Sequence, residues 1–91
     1  MGATMRAIMR NYAIQKLRLA ALKLEGEGPL GERYRLAESD LSAVQENHLP
    51  ERLRPEFRTL KAAIKDHARD HGAIAFRLHE MASSLSESPQ D

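Results

Sequence analysis

Residues 53–85 read LRPEFRTLKAAIKDHARDHGAIAFRLHEMASSL, and this stretch decides the fold class. Its apolar and histidine residues recur at alternating spacings of three and four, which is the period of one face of an α-helix. The β-branched and aromatic residues that strands prefer are scarce throughout the chain. The sequence therefore predicts an all-α protein, with a helical seam made of Leu53, Phe57, Leu60, Ile64, His67, His71, Ile74, Leu78, Met81 and Leu85.

The residues alone leave open whether this seam is one helix or two. A continuous helix from Leu53 to Leu85 would be about 50 Å long, whereas a compact chain of 91 residues is only about 30 Å across. The overhanging end would need a second chain to cover it. Pro55, Gly72 and the polar stretch before Gly72 favour a joint instead, with helices at about 55–66 and 72–83.

The first helix is predicted at about residues 4–24, with Thr4 as its N-cap and Gly26 as its C-terminal stop. Its apolar residues form two neighbouring stripes that together exceed the width of one buried face, which predicts burial on two sides. One stripe is Met5, Ile8, Tyr12, Leu19 and Leu22, and the other is Ala7, Ile14 and Ala21. Since the chain carries a net charge of +1 and its first 24 residues hold five cations and no acid, the other 67 residues carry −4.

A second helix is predicted at about residues 32–47, because a residue before proline avoids helical dihedral angles and Leu49 precedes Pro50. Residues 25–31 hold three glycines and a proline, which mark a loop, but they lack the lysine and hydroxyl of a phosphate-binding loop. The sequence thus predicts a three- or four-helix bundle in a single domain of residues 1–91, with a frayed polar tail at 84–91.

Two segments of the chain resemble a known sequence pattern. Leu49-Pro-Glu-Arg-Leu-Arg-Pro-Glu-Phe57 and Gly72-Ala-Ile-Ala-Phe-Arg-Leu-His-Glu-Met81 resemble segments of short uncharacterised all-helical bacterial proteins. In that pattern a helix opening Leu-Pro-Glu-Glu-Leu-Arg is followed by a polar joint with glycine and then by a short helix ending in Met-Ser. The resemblance implies a joint near residues 66–72 and brings no known activity, and this chain departs from the pattern by the histidines in its joint.

Residues that could carry chemistry are few. His67 and His71 are four residues apart, so on a continuous helix both rings would project from one face, as in a two-histidine metal clamp. Two ligands do not complete a zinc site, and a solvated joint or a polar layer that fixes helix register is the alternative interpretation. The serines gather in the polar tail and no paired carboxylates stand out, so we expect neither an enzyme nor a cofactor.

These observations favour a non-enzymatic helical protein-interaction module, or a small regulator or adaptor, that forms a homodimer through apolar helix faces. Its expected partner-binding residues are the apolar Leu78, Met81 and Leu85 and the cationic Arg6, Arg10, Arg52, Arg54 and Arg58. A small DNA-binding or nucleic-acid-associated regulator is the alternative, because ten arginines outnumber four lysines. A histidine metal-binding protein comes third. No apolar run approaches the roughly 18 residues of a membrane span, so we expect a cytoplasmic protein without membrane contact.

Overall fold

The helical prediction is confirmed over the whole described chain. The computed structural model describes residues 5–87, and the side chains from residue 8 onward. Within that range the elements are four α-helices and two short 3₁₀ turns, without a strand. The helices are α1 (Met5–Glu25), α2 (Leu30–Ser42), α3 (Arg54–Lys65) and α4 (His71–Glu87), and the 3₁₀ turns Glu46–His48 and Glu51–Leu53 connect α2 to α3. The predicted N-cap Thr4 lies outside the described residues.

Helices α1 and α2 form an antiparallel hairpin closed by Arg33. Its Nη1 atom donates to the carbonyl oxygen of Leu24 at 2.9 Å, and its Nε atom donates to that of Gly28 at 3.1 Å. The bond to Leu24 satisfies a carbonyl that the end of α1 otherwise leaves without a partner, and the bond to Gly28 holds the connecting loop. Gly28 has a φ of 106°, a backbone conformation that L side chains rarely adopt, which explains why a glycine occupies this turn.

The second helix begins close to its predicted start but ends earlier than predicted. Helix α2 begins at Leu30, directly after Pro29, whose φ of −60° leads into the first turn. It ends at Ser42 rather than near residue 47, because the next two amides bond to carbonyls three residues back and Gln45 is extended. Val44 lies beyond the end of α2 and is buried. The helical spacing of apolar residues therefore continues past the last helical residue, which is why the spacing does not show where α2 ends.

A joint at residues 66–70 separates α3 from α4, so the seam is two helices. His67 adopts a positive φ of 51°, and its ring stacks on Tyr34 with centroids 4.8 Å apart. The Tyr34 hydroxyl donates to the carbonyl oxygen of Ala68, and Asp70 caps α4 by accepting from the amide of Ala73 at 3.3 Å. The joint is therefore held in a defined shape by the first turns of α2 and α4.

Helix α4 is longer than predicted and supplies much of the core. It continues to Glu87 rather than ending near residue 83, and Leu85 is fully buried. The expected frayed tail therefore overlaps the last turn of α4, and residues 88–91 lie outside the described residues. Helix α1 packs mainly against α4 and next against α2, although α1 and α4 are far apart in the chain.

Helix α1 buries its alanine-rich side rather than its larger apolar stripe. Its buried residues are Ala13, Leu17, Ala20, Ala21 and Leu24. Small side chains at three of these positions let neighbouring helices approach closely, and the leucines fill the remaining space. The stripe of Ile8, Tyr12 and Leu22 is left facing outward. The molecule measures 45 × 22 × 19 Å.

Candidate interaction surfaces

A groove on α4 is a concave surface of the described chain. It has a volume of about 620 Å³. We call it the α4 groove, and it is lined by Leu53, Glu56, Phe76, His79, Glu80, Met81, Ser83, Ser84 and Glu87. Leu53 and Met81 are buried at its floor, whereas Phe76 is 61% exposed at its rim. An aromatic ring beside an apolar floor gives the groove a surface that can bury another apolar side chain.

The charges around the α4 groove are predominantly negative. Glu56 accepts a hydrogen bond from Arg77 at 3.1 Å, so its charge is balanced within the fold. Among the described residues Glu80 and Glu87 make no ion pair, and both are exposed. His79 lies with its Nε2 atom 3.1 Å from Glu25 Oε1, which links α4 to the end of α1. The groove therefore carries at its rim two carboxylates without an ion-pair partner in the described part of the chain, and one cation, Arg52, lies beside its Ser84.

The apolar residues expected to form an interface are core residues in this fold. Leu78, Met81 and Leu85 are at most 2% exposed, because α4 turns this face towards α1 and the rest of the chain. Leu78 and Leu85 are therefore covered in the single folded chain, whereas Met81 reaches the surface only as part of the floor of the α4 groove. The exposed aromatic residue of the same helix is Phe76, which lies between the periodic positions that the sequence pattern singled out.

The arginines near the start of α3 that the sequence predicts to bind a partner, a cluster of Arg52, Arg54 and Arg58, make contacts within the molecule. Arg54 donates to the carbonyl oxygen of Leu49 at 3.0 Å, and Arg52 donates to the Ser84 hydroxyl at 3.1 Å. Arg58 bonds Glu46 at 2.8 Å. This hydrogen bond is the main cause of a lowered pKa at the Glu46 carboxyl, and it raises the pKa of Arg58. The three arginines thus hold the α2–α3 connection and the end of α4 in place.

The two arginines expected on the first helix are not part of that cluster. Arg10 is half-buried on α1, and the side chain of Arg6 lies outside the described residues. Arg18, exposed on α1, is farther along the same helix.

His67 and His71 do not share a helix face. His67 belongs to the joint and stacks on Tyr34, whereas His71 is the first residue of α4. The residues between the two histidines are not helical, so the four-residue spacing does not place the two rings on one side. Within residues 5–87 no group of three or more His, Cys, Asp or Glu side chains is placed to hold a metal ion.

A buried carboxylate joins α1 to α2, and the apolar spacing of the sequence does not mark it. Asp40 is the only buried charged residue of the described chain. Its Oδ2 atom lies 2.7 Å from Lys23 Nζ and its Oδ1 atom lies 3.9 Å from Lys16 Nζ. Two of the five cations of the acid-free first segment are thus directed at the protein's own second helix rather than at a partner.

An apolar stripe on α1 forms a second exposed surface. Ile8 is 48% exposed, Tyr12 is 39% exposed and Leu22 is 56% exposed. Leu19 is half-buried on the same side, and Gln15 between them is exposed. We call these five residues the α1 stripe. It is the stripe that the sequence marks as apolar, but the fold covers the opposite side of the helix.

Comparisons of this chain with protein-family models, curated proteins and solved structures find no match. Among the helices of residues 5–87, none combines the length and hydropathy that crossing a bilayer requires.

Proposed function

We propose that this chain is a small four-helix bundle that acts as a non-enzymatic interaction module, a regulator or adaptor that self-associates and binds a protein partner in the α4 groove. The observation that carries the proposal is Phe76, a large aromatic ring left 61% exposed beside a groove of about 620 Å³. Single exposed apolar residues are common on protein surfaces. An exposed aromatic ring next to a concave apolar floor is typical of the anchor points at protein interfaces.

The charges at the rim indicate the chemistry of the partner. Glu80 and Glu87 flank the groove without ion-pair partners in the described chain. Carboxylates at a rim attract a cationic segment and disfavour an acidic one. The best-fitting partner is a peptide or helix that inserts an apolar side chain against Phe76 and places lysine or arginine beside it.

Peptide display on the wild-type protein tests this proposal. We expect the enriched peptides to share an apolar anchor flanked by Lys or Arg, and to bind Phe76→Asp more than about tenfold more weakly. The double substitution Glu80→Lys and Glu87→Lys should weaken binding and make it less sensitive to salt. Thr59→Asp, on the exposed side of α3, is the matched control and should bind as the wild type does.

The proposal fails if the enriched peptides bind Phe76→Asp and the wild type equally. It also fails if the peptides are acidic, because the rim would then repel its own ligand. Circular dichroism of each variant separates loss of the surface from loss of the fold.

A nucleic-acid-associated regulator is the second candidate, supported by the acid-free first segment with its exposed Arg18. Retention on a column of immobilised duplex DNA, measured against salt, tests it. Phosphate contacts give a steep linear fall of log affinity with log salt concentration. Elution at low salt without such a slope dismisses this candidate.

A further inference from the structure

The α1 stripe has the register of a coiled-coil seam. Ile8, Tyr12, Gln15, Leu19 and Leu22 follow one another at spacings of four, three, four and three residues. This is the heptad spacing by which one helix packs against another along its length. All five positions lie on the side of α1 away from its buried residues, so the fold leaves the seam without a partner within the described chain. A polar residue at the central position is a device that fixes register in such pairs.

The seam is nearly symmetric about Gln15, which suits pairing with an identical helix running in the opposite direction. In that arrangement Ile8 faces Leu22 of a second copy, and Tyr12 faces Leu19 of the second copy. The two Gln15 amides then meet at the two-fold axis, where each amide can both donate and accept a hydrogen bond. A two-fold axis closes the assembly at two chains.

The charges beside the seam favour the antiparallel direction. In a parallel pair, Arg18 of each chain would lie beside Lys23 of the other, which makes two like-charge contacts that the ion pair of Lys23 with Asp40 moderates. In the antiparallel pair Arg18 lies beside Asn11 of the second copy. One like-charge contact remains, between the two Lys16 side chains, and Lys16 is turned towards Asp40 and the Tyr12 ring. Opposed helix dipoles favour the same direction.

Helix α2 adds to this surface. Leu36, one turn before Asp40, shares a face of α2 with it and is 36% exposed. Because Asp40 contacts Lys23 and Lys16, this face adjoins one flank of the α1 stripe. Antiparallel pairing brings that flank of both copies to the same side of the interface, so the two Leu36 side chains extend it. Parallel pairing would leave them on opposite sides.

We infer that α1 pairs antiparallel with α1 of a second copy, centred on Gln15; this inference rests on the self-association in the proposed function and names its surface. The seam from Ile8 to Leu22 is about 21 Å long. We expect a weak dimer that dissociates on dilution, because the seam occupies one side of a single helix.

Sedimentation velocity over a concentration series tests the assignment of the surface. We expect wild-type protein to dimerise, Leu22→Asp and Ile8→Asp each to weaken the dimer more than about tenfold, and Thr59→Asp to leave it unchanged. Leu22 and Ile8 are both about half exposed, so these variants keep the fold, which circular dichroism and thermal melting verify. A dimer that persists in Leu22→Asp overturns the α1 surface but leaves self-association standing. A wild-type monomer at every concentration overturns both, whereas peptide binding in the α4 groove is measured independently.

Disulfide trapping tests the direction, because the chain has no cysteine of its own. Chains carrying Ile8→Cys and Leu22→Cys are mixed in equal amounts and oxidised briefly with diamide. Antiparallel pairing predicts that the mixed disulfide between the two variants predominates. Disulfides that join like variants, or a random distribution of products, overturn the antiparallel arrangement.

Discussion

Removing Lys23 and removing Asp40 should lower the free energy of unfolding by different amounts, although the two residues form one ion pair. The Asp40 side chain is only 9% exposed, whereas the side chains of Lys23 and Lys16 are 35% and 26% exposed. Substituting Lys23→Met leaves a nearly buried carboxylate with a single ammonium at 3.9 Å. Breaking a buried pair in this way costs about 3–5 kcal/mol, and the remaining lysine moderates the loss, so we expect about 3 kcal/mol.

The substitution Asp40→Leu should cost much less. It removes the buried charge itself, and the two partly exposed lysines can turn their ammonium groups into water while their stems stay packed. Partly exposed ion pairs contribute little on balance, so we expect a loss of at most about 1 kcal/mol. The double variant Lys23→Met with Asp40→Leu should recover most of the loss caused by Lys23→Met alone, because no unpaired buried charge remains.

Urea denaturation followed by circular dichroism measures these differences. A domain of this size has a free energy of unfolding of about 5–10 kcal/mol, so every variant remains folded enough to measure. Protein concentrations at which the chain is monomeric keep the adjoining α1 stripe from contributing. If Asp40→Leu costs as much as Lys23→Met, the lysines are not free to regain hydration and the reasoning is refuted.

Three other predictions test the connections between helices. Arg58→Ala should raise the lowered pKa of Glu46 towards its ordinary value of 4.5, which an NMR titration measures. Because the pKa of Glu46 is lowered in the folded state, its carboxylate stabilises the fold above pH 4.5. This stabilisation is lost as the pH falls through the folded pKa. An unchanged pKa would contradict the pairing. Tyr34→Phe should lower the free energy of unfolding by about 1 kcal/mol, because it removes the hydrogen bond to the joint; an unaltered urea midpoint would show that this bond adds nothing. Gly28→Ala should cost at least about 1 kcal/mol at its φ of 106°, whereas Gly31→Ala in open space should be neutral or slightly stabilising, and equal effects would argue against strain at the turn.

The spacing of apolar residues identified the buried side of α3 and α4. Phe57, Leu60, Ile64 and Leu78 were assigned to one seam, and all four are buried. Periodicity shows which side chains point inward, because a helix repeats its orientation every 3.6 residues. It does not show whether the surface they meet belongs to the same chain or to another. This is why Leu78, with its neighbours on α4, was assigned to an interface although it belongs to the core.

The break in the seam and the orientation of α1 show the two limits of pattern reasoning. The polar residues around His67 located the joint, but its shape depends on Tyr34, which is 33 positions earlier and cannot be placed by local spacing. On α1 neither predicted stripe is the buried side. The buried residues share only Ala21 with the two stripes, and three of the five are alanines, whose small side chains allow close packing. A pattern that ranks residues by hydrophobicity alone favours the larger stripe, which contains Leu22.

Because α1 packs on α4, α1 is made several seconds before the helix that covers it. Glu25 at the end of α1 meets His79 on α4, which is 54 residues later. At about 5–20 residues per second, a ribosome needs roughly 3–10 seconds to make the intervening chain. For those seconds the alanine-rich side of α1 lacks its principal cover while the opposite stripe is also exposed. A nascent chain at this stage therefore presents a helix with apolar residues on two opposite sides, and α2 is the first helix made that can cover one of them.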